Sequence, residues 1–441
     1  MAISRRGLMG AGAAGAAMWA AGCSSTTAGG SPAASTSAKP ASSGPPTGEL
    51  RFAWWGNDSR NKNTAAMIEA FQKANPGITV KGEPGEWNSY WDKLATQVAG
   101  NQAPDVIQMS INYVREYGDR GALMDLNAAK VKVDRFAPGA NDSGMVKGKL
   151  LAVNAGVNTP VIVANPAVFT AAKIDLPDDK TWTWQTYKEL AARITAASPK
   201  GTYGSSSFWT TTETMFDAWL RQQGKSIYGE SALGFQPSDI VPWFKLMQEY
   251  LGSGAIPPQA LTSEDAVKPL AQQLTALGRA GMYLYHSNQV AALDAATGQD
   301  LKLLRGPSMT GNSKDRKTWY AASMLYSIST KTKYPEAAAA FVNFMSNDVA
   351  GNAIQLAERG LPPNLDVRAG LNDKLSKSDQ KAAKFLTDIE PELGSIRNIP
   401  LVGTSTFPTI YTRWCEEVAF GKATPEVAAQ KLYDEVKSGI K

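Results

Sequence analysis

Hydrophobic and polar positions between residues 50 and 110 repeat in the pattern of alternating strands and helices. Met67, Ile68 and Phe71 share one helical face over 61–74, and Asn75-Pro76-Gly77 ends that helix. The same pattern predicts a second helix over 87–100 and short strands at 50–55, 78–80 and 104–109. Because no hairpin signal separates these strands, they indicate a parallel α/β sheet whose ligand lies beyond the carboxyl ends of the strands.

The stretch 50–59 places two indole rings and then a carboxylate at one of these strand ends. Strand alternation directs one of Trp54 and Trp55 to the core and the other toward the ligand; the pattern does not decide between them, and we favour Trp55. Asp58 follows in the turn before the helix, where it either caps the helix or contacts a ligand. Aromatic rings and carboxylates together suit sugars, which have an apolar C–H face and hydroxyl groups. The stretch is therefore predicted to form one edge of a sugar-binding cleft.

Length, composition and charge exclude several classes of function. The chain has 441 residues, enough for two or three cores, and its 12 tryptophans can supply planar walls for a sugar. Its net charge of +5 is small and no dense Lys/Arg run occurs, so we expect no nucleic-acid partner. One histidine, no CxxC and no phosphate loop leave no basis for a metal site or a cofactor.

The first 47 residues are predicted to direct export of the protein and to tether it to the membrane, without forming part of a folded core. Residues 1–22 contain Arg5-Arg6 and a short apolar run, which resemble a twin-arginine signal peptide, and Ala20-Ala21-Gly22-Cys23 resembles a bacterial lipobox. Cleavage there would leave Cys23 as a lipidated N-terminus; an uncleaved membrane anchor is the alternative, but the run is short and rich in Ala and Gly. Residues 23–47 read as a flexible linker. Because Cys415 then has no partner, we expect no disulfide in the mature chain.

Segments spread from residue 50 to the end resemble a known family. They include Asn75-Pro76-Gly77-Ile78-Thr79-Val80, Trp91-Asp92-Lys93-Leu94, Gly148-Lys149-Leu150-Leu151-Ala152-Val153, Thr181-Trp182-Thr183-Trp184, Gly278-Arg279-Ala280-Gly281-Met282, Phe341-Val342-Asn343-Phe344-Met345 and Gly421-Lys422-Ala423-Thr424-Pro425-Glu426. On these segments the chain resembles family 1 of the extracytoplasmic solute-binding proteins, the maltose-binding-protein-like sugar-binding lipoproteins of ATP-binding-cassette (ABC) importers.

The resemblance implies a periplasmic-binding-protein-like α/β fold, in which two α/β lobes are joined by a hinge and hold the ligand in the cleft between them. The first lobe would contain residues 48–157 and 324–361, and the second would contain 160–320 and 362–441. Hinge candidates lie at 158–160, 321–323 and 360–362. The implied partners are a carbohydrate, the transmembrane permease subunits with a cytoplasmic ATPase, and the outer face of the bacterial cell membrane through the lipid anchor. We expect a monomer without enzymatic activity.

Candidate ligand-binding residues follow from the strand ends and from the resemblance. In the first lobe and at the hinge they are Trp55, Asn57, Asp58, Arg60, Trp87, Tyr90, Asn112, Tyr113 and Asn158. In the second lobe they are Trp209, His286, Asn288, Trp319 and Phe407. Relatives resembling maltose-binding protein carry Asp-Arg where this chain has Asn112-Tyr113, which argues against maltose as the ligand. Core packing is the alternative for Trp209, and a structural role is the alternative for His286.

Three alternatives to a sugar-binding function remain open from the sequence. The same fold accommodates polyols and glycerophosphodiesters in other branches, so the solute need not be a sugar. An anchored glycoside hydrolase would need two facing carboxylates about 5 to 9 Å apart. An adhesion or chemoreceptor-coupling lipoprotein is a third hypothesis.

Overall fold

The computed structural model describes residues 45–56, 58–210, 212–394 and 399–440. The predicted signal peptide and most of the predicted linker, including Cys23, lie outside the described residues, as does Asn57.

Strands and helices alternate one for one over residues 48–119, and the rest of the described chain groups several strands or several helices in succession. The strands are β1 (Gly48–Trp55), β2 (Ile78–Gly85), β3 (Val106–Met109), β4 (Met145–Val146), β5 (Lys149–Leu150), β6 (Val153–Asn154), β7 (Val157–Asn158), β8 (Pro160–Ala164), β9 (Tyr203–Ser205), β10 (Ala280–His286), β11 (Lys302–Leu304), β12 (Ala321–Ala322) and β13 (Leu325–Ile328). The helices are α1 (Asp58–Ala74), α2 (Trp87–Ala99), α3 (Ile111–Asp119), α4 (Pro166–Ala172), α5 (Trp184–Ala197), α6 (Thr214–Arg221), α7 (Pro237–Gly252), α8 (Gln259–Ala266), α9 (Val290–Thr297), α10 (Pro335–Asn347), α11 (Val349–Gln355), α12 (Leu365–Leu371), α13 (Lys377–Ile389), α14 (Phe407–Ala419) and α15 (Pro425–Gly439). Crossing a bilayer takes a long, uninterrupted apolar helix, and the described helices include none that meets this requirement.

The first sheet has the strand order β2-β1-β3-β13-β6. Strand β1 runs parallel to β2 and β3, as the sequence pattern predicts, but β13 is antiparallel to β3 and to β6. The predicted parallel arrangement of these three strands is therefore confirmed, and β13 with its antiparallel neighbour β6, which the pattern did not predict, extend the sheet. Helix α1 buries Met67, Ile68 and Phe71, the helical face read from the sequence. We call this sheet and the helices packed on it the first lobe.

The second sheet has the order β11-β8-β10-β9, with β8 antiparallel to β10 and β11, and β9 parallel to β10. Helices α4 and α5 pack beside it, and α7 packs against α14 and α15. A core rich in aromatic residues joins these helices to the sheet, and it includes Tyr187, Phe208, Trp209, Trp243 and Tyr250. We call this sheet and its helices the second lobe. The predicted α/β class with two sheet-centred lobes is thus confirmed.

Three chain segments, which we call the crossing segments, pair with one another between the two sheets: 156–159, 321–323 and 358–362. Asn158 pairs with Ala321 through β7 and β12. The backbones of Val157 and Leu361 exchange two hydrogen bonds of 2.8 and 3.1 Å. A Cβ atom on Gly156 would lie 1.9 Å from the carbonyl oxygen of Arg359, so only glycine allows this close approach. The three predicted hinge candidates therefore lie side by side.

Helix α12 extends the first lobe beyond the boundary given by the resemblance. It contacts α11, and Asp366 forms an ion pair of 2.6 Å with Arg135. Helix α13, in contrast, packs against α9 of the second lobe. The chain segment at 362–371 therefore lies with the first lobe, and the remaining lobe boundaries stay a prediction.

Candidate functional site

Four aromatic side chains meet at the carboxyl edge of the first sheet, and we call them the aromatic cluster: Trp55, Trp87, Trp91 and Tyr113. Trp55 and Trp87 pack edge to face with ring centroids 5.0 Å apart, and Trp91 stacks on Tyr113 at 3.9 Å. They come together because β1 ends at Trp55 while α2 and α3 begin beside the neighbouring strand ends. Trp87 is 42% exposed, so the cluster presents an indole to solvent.

The structure separates the roles of Trp54 and Trp55. The ring of Trp54 lies over Gly82, and its indole N–H donates to Asn61 Oδ1 at 2.9 Å. Trp55, on the opposite face of the strand, joins the aromatic cluster. Alternation along β1 therefore places Trp55, which the sequence favoured, on the side of the candidate site.

The first turn of α1, shortly after the end of β1, contains the exposed Asp58 and the ion-paired Arg60. Arg60 forms an ion pair of 2.9 Å with Glu358 and also donates to the carbonyl of Trp55 at 3.3 Å. The prediction that Arg60 serves a ligand needs correction, because its guanidinium ties this turn to the crossing segment at 358–362.

The other first-lobe candidates lie near the first residues of helices α2 and α3. Tyr90 is buried, and its hydroxyl lies 2.7 Å from the carbonyl oxygen of Gln108, so it packs the lobe instead of lining a cleft. Asn112 is half-buried in the first turn of α3, where its backbone N–H donates to the Ser110 side chain. Tyr113 is half-buried, and desolvation raises the pKa of its phenol. Only Asn112 and Tyr113 of these three remain available to a solute.

Asn158 lies in the crossing segment that leads into β8. It is 5% exposed, and within the described residues its Oδ1 atom has no hydrogen-bond partner. An unsatisfied buried amide oxygen at a hinge is a place where a water molecule or a ligand group completes the hydrogen bonding.

The second lobe contains a cavity of about 470 Å³, which we call the second-lobe cavity. Eight of its sixteen lining residues carry a hydroxyl group, and Gln273 and Gln289 add amides. Its walls come from the loop after β9, from α8 and the segment that follows it, from the end of β10 and from Thr412 of α14. Its size falls in the range typical of small-molecule sites.

His286 and Asn288 lie where β10 ends beside the hinge. His286 pairs with Pro160, the first residue after the crossing segment, and lines the second-lobe cavity. Its backbone N–H donates to Gln289 Oε1 at 3.0 Å. The Oδ1 atom of Asn288 is buried and has no hydrogen-bond partner among the described residues. Both candidates therefore lie at the hinge-side end of the second sheet.

Three aromatic candidates of the second lobe are buried, and Trp319 lines a separate small cavity together with Met215 and Phe385. Trp209 is fully buried, stacks on Phe208 at 4.2 Å and donates to the carbonyl of Trp243 at 3.2 Å. Phe407 is fully buried at the start of α14. Trp319 is 7% exposed beneath the guanidinium of Arg221, 4.8 Å from its ring centroid. The predictions of Trp209 and Phe407 as ligand-binding residues need correction, because both side chains are fully buried in the core.

Sequence reasoning missed several residues of the second-lobe cavity. Thr262 and Asp265 lie on α8, while Gln273 and Thr275 precede β10. Their segment, 259–278, is polar without regular periodicity, and only that polarity ahead of a buried strand could have drawn attention to it. Within the described residues, no group of three or more His, Cys, Asp or Glu side chains is arranged to hold a metal ion.

Both sets of polar and aromatic groups lie at the hinge-side ends of their sheets. In the first sheet, Met109 at the end of β3 pairs with Leu325, which lies two residues after the crossing segment at 321–323. In the second sheet, the end of β10 pairs with Pro160. The arrangement offers aromatic faces from one lobe and hydroxyl and amide groups from the other.

Comparison with known proteins gives one family. Residues 66–384, more than half of the chain, match the family described as bacterial extracellular solute-binding protein. An uncharacterized lipoprotein from the oleD 5′ region of Streptomyces antibioticus is 27% identical over 165 residues, which is 36% of either chain. The match thus spans about a third of that relative's length.

Solved structures share the fold over nearly their whole length. An extracellular solute-binding protein of family 1 from Alicyclobacillus acidocaldarius is 26% identical with a TM-score of 0.73, and the match covers 89% of this chain and 98% of that one. A periplasmic oligogalacturonide-binding protein from Yersinia enterocolitica is 20% identical with a TM-score of 0.75, with 89% and 100% covered.

Proposed function

The chain belongs to the bacterial extracellular solute-binding proteins, and we propose that it captures a carbohydrate, an oligosaccharide or a glycoside, for an ABC importer. The two lobes would close on the sugar about the three paired crossing segments. The loaded protein would then deliver it to transmembrane permease subunits that work with a cytoplasmic ATPase. In this role the protein acts as a monomer and performs no chemistry on the solute.

The aromatic cluster combined with the hydroxyl-rich second-lobe cavity carries this proposal. A sugar ring presents a C–H face that packs on an indole and hydroxyl groups that both donate and accept hydrogen bonds. The exposed indole of Trp87 suits the first requirement, and the hydroxyl and amide lining of the cavity suits the second. An oligogalacturonide-binding protein among the structural neighbours is consistent with a carbohydrate ligand on this fold.

Titration of the purified protein with a panel of oligosaccharides tests the proposal. Tryptophan fluorescence is a suitable readout because Trp55, Trp87 and Trp91 lie together at the candidate site, and calorimetry confirms each response. We expect saturable binding of a glycan without new reducing ends. Binding only of glycerophosphodiesters or polyols would contradict the carbohydrate assignment, and release of new reducing ends would indicate a hydrolase.

We also propose that Cys23 anchors the protein to the outer face of the cell membrane. The variant Cys23→Ala is expected to leave sugar affinity unchanged and to release the protein from the membrane fraction, because a lipid chain supplies the membrane affinity. Fractionation of cells followed by detection of the protein measures this. Retention of the variant on membranes would contradict lipid anchoring at Cys23. A Ser24→Ala variant is the matched control and should remain on the membrane.

A further inference from the structure

Three oxygen atoms in the wall of the second-lobe cavity have no hydrogen-bond partner within the described chain. The Oγ1 atoms of Thr210 and Thr262 are buried without partners, and each residue is 5% exposed. The third is Oδ2 of Asp265, whose other oxygen, Oδ1, accepts the backbone N–H of Leu274 at 2.8 Å. Buried polar groups in native proteins are almost always satisfied, so the two threonine hydroxyls indicate where water or a ligand completes the hydrogen bonding. Asp265 is only partly buried, and its Oδ2 adds an acceptor to the same wall.

Asp265 is a positioned carboxylate. Its bond to the Leu274 N–H restrains the orientation of the group, and the residue lines the cavity with Oδ2 not engaged by that bond. Partial burial raises the pKa of this carboxyl group despite that hydrogen bond and the more distant Lys268 and Arg279. The nearby cations therefore do not compensate the loss of water around the carboxylate, and a hydrogen-bond donor on a ligand would stabilise it.

The formal charge on the described lining of the cavity is negative only. Among the described residues that line the cavity, Asp265 carries the formal charge and none is lysine or arginine. In the first lobe, Arg60 is paired with Glu358, and Arg115 donates to the carbonyl oxygen of Glu230 at 2.8 Å. A phosphate, sulfate or carboxylate in the cavity would meet a negative charge and find no guanidinium or ammonium partner there.

From these contacts we propose that the second-lobe cavity is a subsite for an electrically neutral, polyhydroxylated sugar residue, with Asp265 as its specificity-determining residue. Hydroxyl groups of the sugar donate to Asp265 Oδ2 and exchange hydrogen bonds with Thr210 and Thr262. The inference rests on the proposed carbohydrate function and narrows it, because acidic glycans are rejected by charge. Rejection of this kind is effective since an anion placed there would lose its water without gaining a counter-charge.

The first experiment compares matched neutral and acidic probes on the purified full chain by calorimetry. The probes are galactotriose, xylotriose, mannotriose and cellotriose, with trigalacturonic acid as the acidic glycan and glycerophosphocholine, a zwitterion, as the solute that is not a glycan. We expect a neutral glycan to bind at least about tenfold more tightly than trigalacturonic acid. Tighter binding of trigalacturonic acid would overturn this inference and leave the carbohydrate function standing. Binding of glycerophosphocholine alone, or of none of the glycans, would overturn the proposed function and this inference with it.

Variants of the cavity wall then test the assigned residues. Asp265→Asn keeps the acceptor for the Leu274 N–H but removes the charge, so affinity for the bound neutral glycan should fall on the order of tenfold. Glu264→Gln is the matched control, because Glu264 is the exposed neighbour that pairs with Lys268 outside the cavity lining. It should change affinity by less than about twofold. Equal affinity of Asp265→Asn and the wild-type protein would overturn the role of Asp265.

Thr262→Val separates ligand binding from folding. Removing a buried hydroxyl that has no protein partner should leave the unfolding temperature unchanged or raise it. The same change should weaken binding of the neutral glycan several-fold, because the ligand loses a hydrogen bond. A lower unfolding temperature with unchanged affinity would show that the hydroxyl serves the fold and would overturn its assignment to the subsite.

Discussion

Replacing Arg359 with methionine is expected to lower the free energy of unfolding by about 3–5 kcal/mol, the usual cost of removing one member of a buried charged network. The guanidinium is fully buried. It donates to Gln108 Oε1 at 3.2 Å, to Gln355 Oε1 at 2.9 Å and to Thr64 Oγ1 at 2.7 Å. Methionine fills similar space but leaves these three acceptors without their donor, and each unsatisfied buried group is costly.

Denaturant unfolding of the two proteins measures this difference. Arg120→Met is the matched control, because Arg120 is exposed and pairs with Glu116 one helical turn away. Pairs of this kind contribute only about 0.3–0.5 kcal/mol. A loss below about 1 kcal/mol for Arg359→Met would contradict the network, since it would mean that water or side-chain rearrangement satisfies all three partners.

The same arginine connects the hinge with the candidate site. Arg359 lies in the crossing segment that pairs with Val157, and its partner Gln108 also donates to the carbonyl of Trp55 at 2.9 Å. The neighbouring Glu358 pairs with Arg60, which contacts the same carbonyl. Movement of the crossing segment during lobe closure would therefore act directly on the turn that carries Trp55 and Asp58. Burial lowers the pKa of Arg359, while the neighbouring Glu358 favours its charged form.

Local sequence patterns predicted the first lobe well because its elements are amphipathic in themselves. The helix read over 61–74 corresponds to α1, and the strand at 104–109 contains β3. The antiparallel β13 escaped prediction because its pairing with β3 joins distant residues, and no local pattern encodes that contact. The alternating pattern indicated the α/β class, the resemblance to a known family added the two lobes with a hinge, and the match over residues 66–384 confirms the family.

The candidate site was harder to predict because exposure depends on packing between distant segments. Trp87 and Trp209 both stand near polar residues in the sequence, yet one is 42% exposed and the other is fully buried. Asp265 and Thr262 carry no periodic signal, and they become notable only when the fold brings α8 to the end of β10. Polar residues that line a cavity resemble any solvated surface when only the sequence is read.

Replacing Trp209 with alanine is expected to lower the free energy of unfolding by about 3–5 kcal/mol, as for other large aromatic side chains removed from a core. The indole contacts Phe208, Trp243 and Tyr250 with ring centroids 4.2, 4.9 and 4.8 Å away, and its N–H donates to a buried carbonyl. Trp209→Phe keeps most of the ring packing and should lose less than about 2 kcal/mol. Thermal and denaturant unfolding measure both variants.

The ligand affinity of these variants decides between a core residue and a stacking platform. Trp209→Phe should bind the glycan as the wild-type protein does, because no face of Trp209 reaches solvent. Trp87→Ala should show the opposite profile: a stability loss of about 1 kcal/mol, since the ring is half-exposed, and an affinity loss on the order of tenfold from the missing sugar contact. Weakened binding by a stable Trp209→Phe variant would place Trp209 at the ligand. Unchanged binding by Trp87→Ala would remove the aromatic cluster from the site, because Trp87 is the cluster's most exposed tryptophan.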